Sequence, residues 1–337
     1  MAYTVAVVGA TGNVGHEMLN LLAERGFPVK DVHALASARS HGTEVSFGDK
    51  GVLKVQNLAG FDFKGVDFVL SSPGSKVSAE FTPIAAKAGA IVIDNTSYFR
   101  MDPDVPLVVP EVNPEALKDY SKRNIVANPN CSTIQMVMAL KPLHDAATVK
   151  RVVVATYQSV SGAGKAGMDT LFEQGRKFFV NDVMENVVFK KQIIHNVIPQ
   201  IDDFMEDGLT KEEWKMMVET KKILGADIKV CASCVRVPVF IGHSEMVNVE
   251  LERPLSVKQA KGLWRNFDGV TVIDRQSDLE FVTPAEIAGE DDVFISRIRE
   301  DITVENGLNF WCVADNLKKG AALNAVQIAE KLVKDYL

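Results

Sequence analysis

The chain has 337 residues, 47% of them hydrophobic and 24% charged, the texture of a globular protein long enough for two domains. A formal net charge of -7 excludes a general nucleic-acid binder, because affinity for a phosphate backbone needs concentrated Lys and Arg. No apolar run approaches the roughly 18 residues of a membrane span, the start carries no basic segment, and four cysteines are too few for a disulfide framework, so a reduced, cytoplasmic setting is expected.

Residues 3–8 are an apolar, β-branched run that breaks at Gly9-Ala10-Thr11-Gly12-Asn13-Val14-Gly15 before the helical spacing of Met18, Leu19, Leu21 and Leu22. Strand, glycine loop and helix in that order predict a dinucleotide site, since glycines let a pyrophosphate approach the unpaired N–H groups of a helix start. A plain strand-to-helix turn is the alternative. A second strand, residues 31–36, ends at Ser37-Ala38-Arg39-Ser40. An NAD-type fold would place an acidic residue here for the ribose 2′-OH; Arg39 flanked by hydroxyls suits a 2′-phosphate instead, so NADP is expected over NAD. Short β-type runs at 68–70, 91–93 and 107–109, with helical stretches or turns between, predict an α/β, Rossmann-like, doubly wound parallel sheet.

Asn128-Pro129-Asn130-Cys131-Ser132-Thr133, followed by the apolar run 134–140, puts a thiol where a turn hands over to a helix. Unpaired N–H groups and the macrodipole at a helix start draw a cysteine pKa below its usual value of about 8.5, which makes Cys131 a candidate nucleophile. Beyond it the texture changes. Residues 151–160, 232–241, 247–251 and 293–301 read as strands, and 210–224 and 255–267 as helices, giving a mixed α+β second domain. Residues 316–337 carry amphipathic helical spacing.

A thiol nucleophile needs a partner, and of six histidines His243 stands out, because it follows the apolar run from Arg236 through a Gly turn. Strand alternation puts Cys234 and Arg236 on one face, and an arginine projecting there points to carboxylate recognition, with a surface ion pair as the alternative. Gln158 closes another predicted strand as an amide able to orient a substrate. Ser97-Tyr98-Phe99-Arg100 and Ser159-Val160-Ser161-Gly162-Ala163-Gly164-Lys165 are candidate anion sites. His195 lies in a strand-like apolar run and reads as structural. Cys231-Ala232-Ser233-Cys234 lacks a second ligand pair at matching spacing and opens an apolar strand, so no metal site is expected.

These blocks together resemble aspartate-semialdehyde dehydrogenase, from the first strand to the last helix. The resemblance rests on the loop from Gly9 to Gly15, Asp94-Asn95, the stretch from Ser97 to Arg100, Val105 to Pro114, Asn128 to Thr133, Gln158 to Gly162, Glu219-Thr220-Lys221-Lys222, Arg236 to His243, and Lys319 to Glu330. It implies that Cys131 is the nucleophile and His243 the general acid/base, with Asn130 donating to the developing oxyanion. Gln158 and Arg236 would position the substrate, Arg236 on its α-carboxylate. Glu219 would meet the α-amino group, and Arg100 with Lys222 the phosphate. Gly9, Thr11, Gly12, Asn13, Val14, Gly15, Ser37, Arg39, Ser40, Ser161, Gly162 and Asn316 would serve NADP.

The implied reaction is reversible reductive dephosphorylation of L-aspartyl 4-phosphate to L-aspartate 4-semialdehyde, releasing inorganic phosphate, through a cysteine thioester. It belongs to the biosynthesis of lysine, by way of diaminopimelate, and of threonine, methionine and isoleucine. The expected organisation is an NADP-binding domain over 1–127, completed by 314–337, and a catalytic and dimerisation domain over 128–313, in a homodimer or homotetramer without nucleic-acid or membrane partners. N-acetyl-glutamyl-phosphate reductase is the nearest alternative. In that family the nucleophile follows Asn-Pro-Gly, and its acylated substrate amine would give Glu219 nothing to meet.

Overall fold

The computed structural model describes every residue except 186, 187, 276, 278 and 279. The chain divides into two compact units: residues 1–130 with 321–337, and residues 131–320.

The first unit opens with β1 (Tyr3–Val8), α1 (Asn13–Glu24) and β2 (Val29–Ala36), continues through the small hairpin β3 (Glu44–Ser46) and β4 (Val52–Lys54) and the short β5 (Gln56–Asn57), and goes on to β6 (Phe68–Ser71), α2 (Ser75–Lys87), β7 (Ile91–Asp94) and β8 (Ile125–Ala127). Among the described residues these build a six-stranded sheet in the order β5-β2-β1-β6-β7-β8, with every pairing parallel. Strands β6, β7 and β8 are buried throughout, as expected of a parallel sheet covered on both faces. The predicted strand at 107–109 is reduced to one bridge, Leu107 to Ala127. Pro106 and Pro110 flank it and supply no N–H, so a ladder cannot extend. The C-terminal helix (Leu323–Asp335) returns to this unit, burying Leu323, Val326, Ile328, Ala329 and Leu332 in the cluster that holds Met18, Leu19 and Leu22 of α1. Arg25 at the end of α1 makes a two-point ion pair with Glu330 at 2.8 Å.

The second unit contains α3 (Cys131–Ala147), β9 (Val149–Gln158), α4 (Gly164–Phe179), α5 (Lys211–Leu224), β10 (Lys229–Arg236), β11 (His243–Leu251), α6 (Val257–Arg265), β12 (Val270–Val272), α7 (Pro284–Ile287), β13 (Val293–Asp301) and β14 (Gly307–Ala314). Its mixed sheet runs β10-β9-β11-β14-β13-β12, with β9 parallel to β10 and antiparallel to β11. Helix α3 is buried on nearly every side from Ser132 to Leu140, which accounts for its uninterrupted apolar run.

Several expected boundaries move for local reasons. The strand expected over 232–241 ends at Arg236, just before Pro238. The strand expected at 247 begins at His243, and that expected over 151–160 runs from Val149 to Gln158. The Ser/Gly stretch after Gln158 is a 3-10 turn (Val160–Ala163) leading into α4. Lys165, read as an anion ligand, is exposed and ion-paired with Asp169 at 2.9 Å. His195 sits in a turn with φ 52 rather than in a strand. The final segment is broken by a π turn (Lys318–Ala322) before its α-helix. No helix among the described residues is long and apolar enough to cross a membrane.

Candidate active site

Four segments of the mixed sheet end at one edge. Parallel register pairs Arg236 with Gln158, and β11, running the opposite way, starts there with His243 opposite Ala314 at the end of β14. Two residues past Ala314, Asn316 ties the edge together. Its side-chain oxygen accepts from the Gly242 N–H at 2.9 Å, from the Ser159 hydroxyl at 3.0 Å and from the Ser161 hydroxyl at 3.1 Å. Arg236 is buried and donates to the Ser159 carbonyl at 2.7 Å, which fixes the guanidinium beside the turn.

Cys131 is the first residue of α3 and is partly exposed, a placement that offers its sulfur the helix dipole. Arg236 couples electrostatically to it. Cys234 and Cys312 are buried thiols whose pKa values burial pushes up, so neither competes as a nucleophile. Cys231 and Cys234 lie three residues apart on one strand, the first exposed and the second buried, and therefore on opposite faces. Gly320 leaves room beside Cys131: a Cβ there would lie 2.9 Å from the Cβ of Cys131.

His243 is fully buried, and burial followed by the Arg236 charge depresses its pKa to about 3, against an opposing pull from Glu212. The Ser159 backbone N–H donates to its Nδ1 at 3.1 Å, and its Nε2 has no partner among the described residues. Gly162 leaves that nitrogen its space, since a Cβ at this position would come within 2.9 Å of the Arg236 guanidinium and 3.1 Å of Nε2. The Gln158 amide is oriented too. Its Nε2 donates to Ser132 Oγ and, at 3.0 Å, to the Glu212 carboxylate, while its buried Oε1 has no partner among the described residues. A carboxylate only accepts, so Glu212 dictates which end of the amide faces it. Buried polar atoms without partners are costly, and two of them, Nε2 of His243 and Oε1 of Gln158, belong to residues at this one edge.

Glu219, buried, and Lys222, half-buried, lie one turn apart on α5. Asn130 is buried directly before Cys131. In the first unit, Arg100 is buried and donates to the Asn128 and Asn95 carbonyls, each at 2.9 Å. The glycine loop fits a dinucleotide. Gly9 has φ 84, and a Cβ on Gly15 would lie 2.2 Å from the Gly9 carbonyl oxygen, so α1 begins against bare backbone. The Gly9 and Ala10 N–H groups bond Leu35 O, which brings the loop to the end of β2, where Arg39 is exposed between Ser37 and Ser40 with no carboxylate at the turn. Ser161, Gly162 and Asn316 lie in the second unit, around His243.

Residue-type reasoning passed over Glu212, which resembles any acidic residue in the first turn of a helix. It also passed over Glu245, fully buried on β11, whose carboxyl is raised well above its usual pKa by burial and only partly offset by Gln135. Neither carries a local signal, because both become informative only through burial.

Family models match along the chain: the semialdehyde dehydrogenase NAD-binding domain over residues 4–120 and the semialdehyde dehydrogenase dimerisation domain over residues 140–319. Aspartate-semialdehyde dehydrogenase of Aquifex aeolicus is 52% identical over 340 residues, covering 100% of both chains, and that of Rickettsia bellii is 48% identical over 335 residues, covering 99% of each. The chain belongs to the aspartate-semialdehyde dehydrogenase family. The crystal structure of Vibrio cholerae aspartate semialdehyde dehydrogenase II complexed with ASA superposes with a TM-score of 0.97 at 50% identity over 100% of both chains. The Candida albicans family member solved with NADP gives 0.75 at 27% identity over 99% of each chain. Membership makes the chain an oxidoreductase of amino-acid biosynthesis with an NAD(P)-binding domain and a dimerisation domain.

Proposed function

We propose that the chain catalyses the reversible, NADP-dependent conversion of L-aspartyl 4-phosphate to L-aspartate 4-semialdehyde and inorganic phosphate through a thioester on Cys131, as a cytoplasmic homodimer or homotetramer. The observation that carries this reading is the sheet edge where His243 and Gln158 each present a buried polar atom without a partner among the described residues, together with Cys131 at a helix start coupled to Arg236. Arg236 takes the α-carboxylate, Glu219 the α-ammonium, and Arg100 and Lys222 the phosphate, each by charge complementarity. Gln158 orients the acyl group, and Asn130 supplies a donor beside the nucleophile. Gly9, Thr11, Gly12, Asn13, Val14 and Gly15 hold the pyrophosphate, Ser37, Arg39 and Ser40 the 2′-phosphate, and Ser161, Gly162 and Asn316 the remainder of NADP, which when bound exchanges a hydride with the acyl carbon. A thioester suits the cycle because it is activated enough to exchange with phosphate and divides one difficult step into two.

Phosphate-dependent reduction of NADP+ by L-aspartate 4-semialdehyde, lost in Cys131→Ser with NADP binding kept, is the expected result. Activity confined to the N-acetylated glutamate semialdehyde would establish the reductase alternative in its place.

A further inference from the structure

Resting on the phosphate role proposed above for Arg100, we infer that Asn324, on the returning C-terminal helix, is a positioning residue of the reaction: through the Asn128 and Asn95 amides it fixes the guanidinium that meets phosphate.

Strands β7 and β8 are parallel neighbours that end level, Asp94 opposite Ala127, so Asn95 and Asn128 are the first residues past the sheet on adjacent strands. Arg100 bridges them. Its Nε donates to the Asn128 carbonyl and its Nη2 to the Asn95 carbonyl, each at 2.9 Å. The same two residues are joined side chain to side chain, Asn128 Nδ2 donating to Asn95 Oδ1 at 2.6 Å. Asn324 completes the set: its Nδ2 donates to Asn128 Oδ1 at 2.6 Å and to the Val108 carbonyl at 3.0 Å. Asn128 and Asn324 are fully buried, Arg100 nearly so, and all of these residues belong to the first unit.

A side-chain amide can sit either way round, and here two backbone carbonyls decide. A carbonyl only accepts, so Val108 O requires the NH2 end of Asn324, whose second N–H then meets Asn128 at its oxygen. That turns the Asn128 NH2 toward the Ala321 carbonyl, 3.2 Å away, and toward Asn95 Oδ1. Asn95 is left with its Nδ2 facing the Ser72 hydroxyl at 3.3 Å. Three amides therefore point one way. Reversing any one of them sets oxygen against oxygen or NH2 against NH2 in a buried site, where an unmade hydrogen bond is costly. The polarity reaches function through Arg100. A guanidinium recognises phosphate as a planar fork, and the plane of this one is set by the two carbonyls whose residues the relay clamps together. Cys131, in contrast, is placed by α3 in the second unit, so the relay should act on phosphate and leave acylation alone.

The test is steady-state kinetics of the full-length protein with L-aspartate 4-semialdehyde, NADP+ and inorganic phosphate varied in turn, beside the phosphate-free burst of NADPH that reports acylation. Asn324→Ala, which suits a helix, should raise the KM for phosphate about 3- to 10-fold, as for loss of one hydrogen bond. The other two KM values and the burst rate should stay within about 2-fold. Asn324→Asp keeps the shape but puts an acceptor before two acceptors, so where it folds its phosphate KM should rise further than that of Asn324→Ala. In an Arg100→Ala background, Asn324→Ala should add less than about 2-fold to the phosphate KM, because it acts through the missing guanidinium. An unchanged phosphate KM in Asn324→Ala, a slowed burst with all KM values raised alike, or a full additive effect without Arg100 would each overturn the inference while the phosphate role of Arg100 stands. If Arg100→Ala alone leaves the phosphate KM at the wild-type value, that role fails, and the inference fails with it.

Discussion

At the scale of single residues, the site depends on side chains that make no claim in the sequence. Glu212 holds the Gln158 amide in one orientation, and Lys215 lies 3.2 Å from the Glu212 carboxylate. Glu212→Gln offers Gln158 a partner that can donate as well as accept, so the amide is free to turn over. Steady-state kinetics should show kcat/KM down by about 10-fold, equivalent to about 1.4 kcal/mol, with the fold unchanged by circular dichroism. Unchanged kinetics would remove Glu212 from the positioning of Gln158. Glu245 makes a different prediction. Its folded pKa lies above the unfolded value of about 4.3, so the folded chain binds the extra proton and stability falls as pH rises from that value toward the folded pKa. Glu245→Gln removes this dependence. Thermal unfolding should therefore show a gain in Tm that grows from mildly acid to mildly alkaline buffer, and a constant or shrinking gain would show that the carboxyl is not held uncharged.

At the scale of elements, the sequence announced what lies next in the chain and concealed what lies across the sheet. The glycine loop, the thiol at the start of α3 and a strand carrying Arg236 were legible, because each is a pattern within a few residues, although the end of that strand was expected at 241 rather than at Arg236. The pairing of Arg236 with Gln158 and of His243 with Ala314 was not, since register is a property of two strands. Helix α4 went unread because its N-terminus is a Ser/Gly stretch, and β14 because nothing in its composition says that it runs beside β11. The π turn at Lys318–Ala322 illustrates the same limit: helical spacing is continuous there, yet Gly320 is needed for its closeness to Cys131 rather than for the helix. Gly320→Ala should displace Cys131, the proposed nucleophile, by a few tenths of an ångström or more while leaving an element interior that tolerates Ala, so kcat should fall with little change in Tm. A variant with wild-type kcat would mean that Cys131 can yield at no cost.

At the scale of the molecule, the chain builds most of the first unit, leaves to build the whole of the second from residues 131–320, and returns with residues 321–337. The returning helix buries Leu323, Val326, Ile328 and Leu332, each contributing about 1.5–3 kcal/mol by leaving water, and closes the Arg25–Glu330 pair. A chain ending at Gly320 should therefore lose the cooperative unfolding of its nucleotide unit and bind no NADP. Retention of NADP binding, measured by titration calorimetry, would show that the sheet stands without this helix.

That return path has a consequence for the order in which the protein comes into being. Synthesis delivers the amino terminus first, and N-terminal domains as a rule complete their folding first. Here the first unit has to wait for residues 321–337, because Leu323, Val326 and Leu332 lie in its core. The second unit, with Cys131 on α3 and Gln158, Arg236 and His243 on its sheet, is contiguous and can close earlier. The nascent chain thus completes the unit that holds Cys131 before the unit that holds the glycine loop, and a chain interrupted before residue 321 should be left without a stable nucleotide unit.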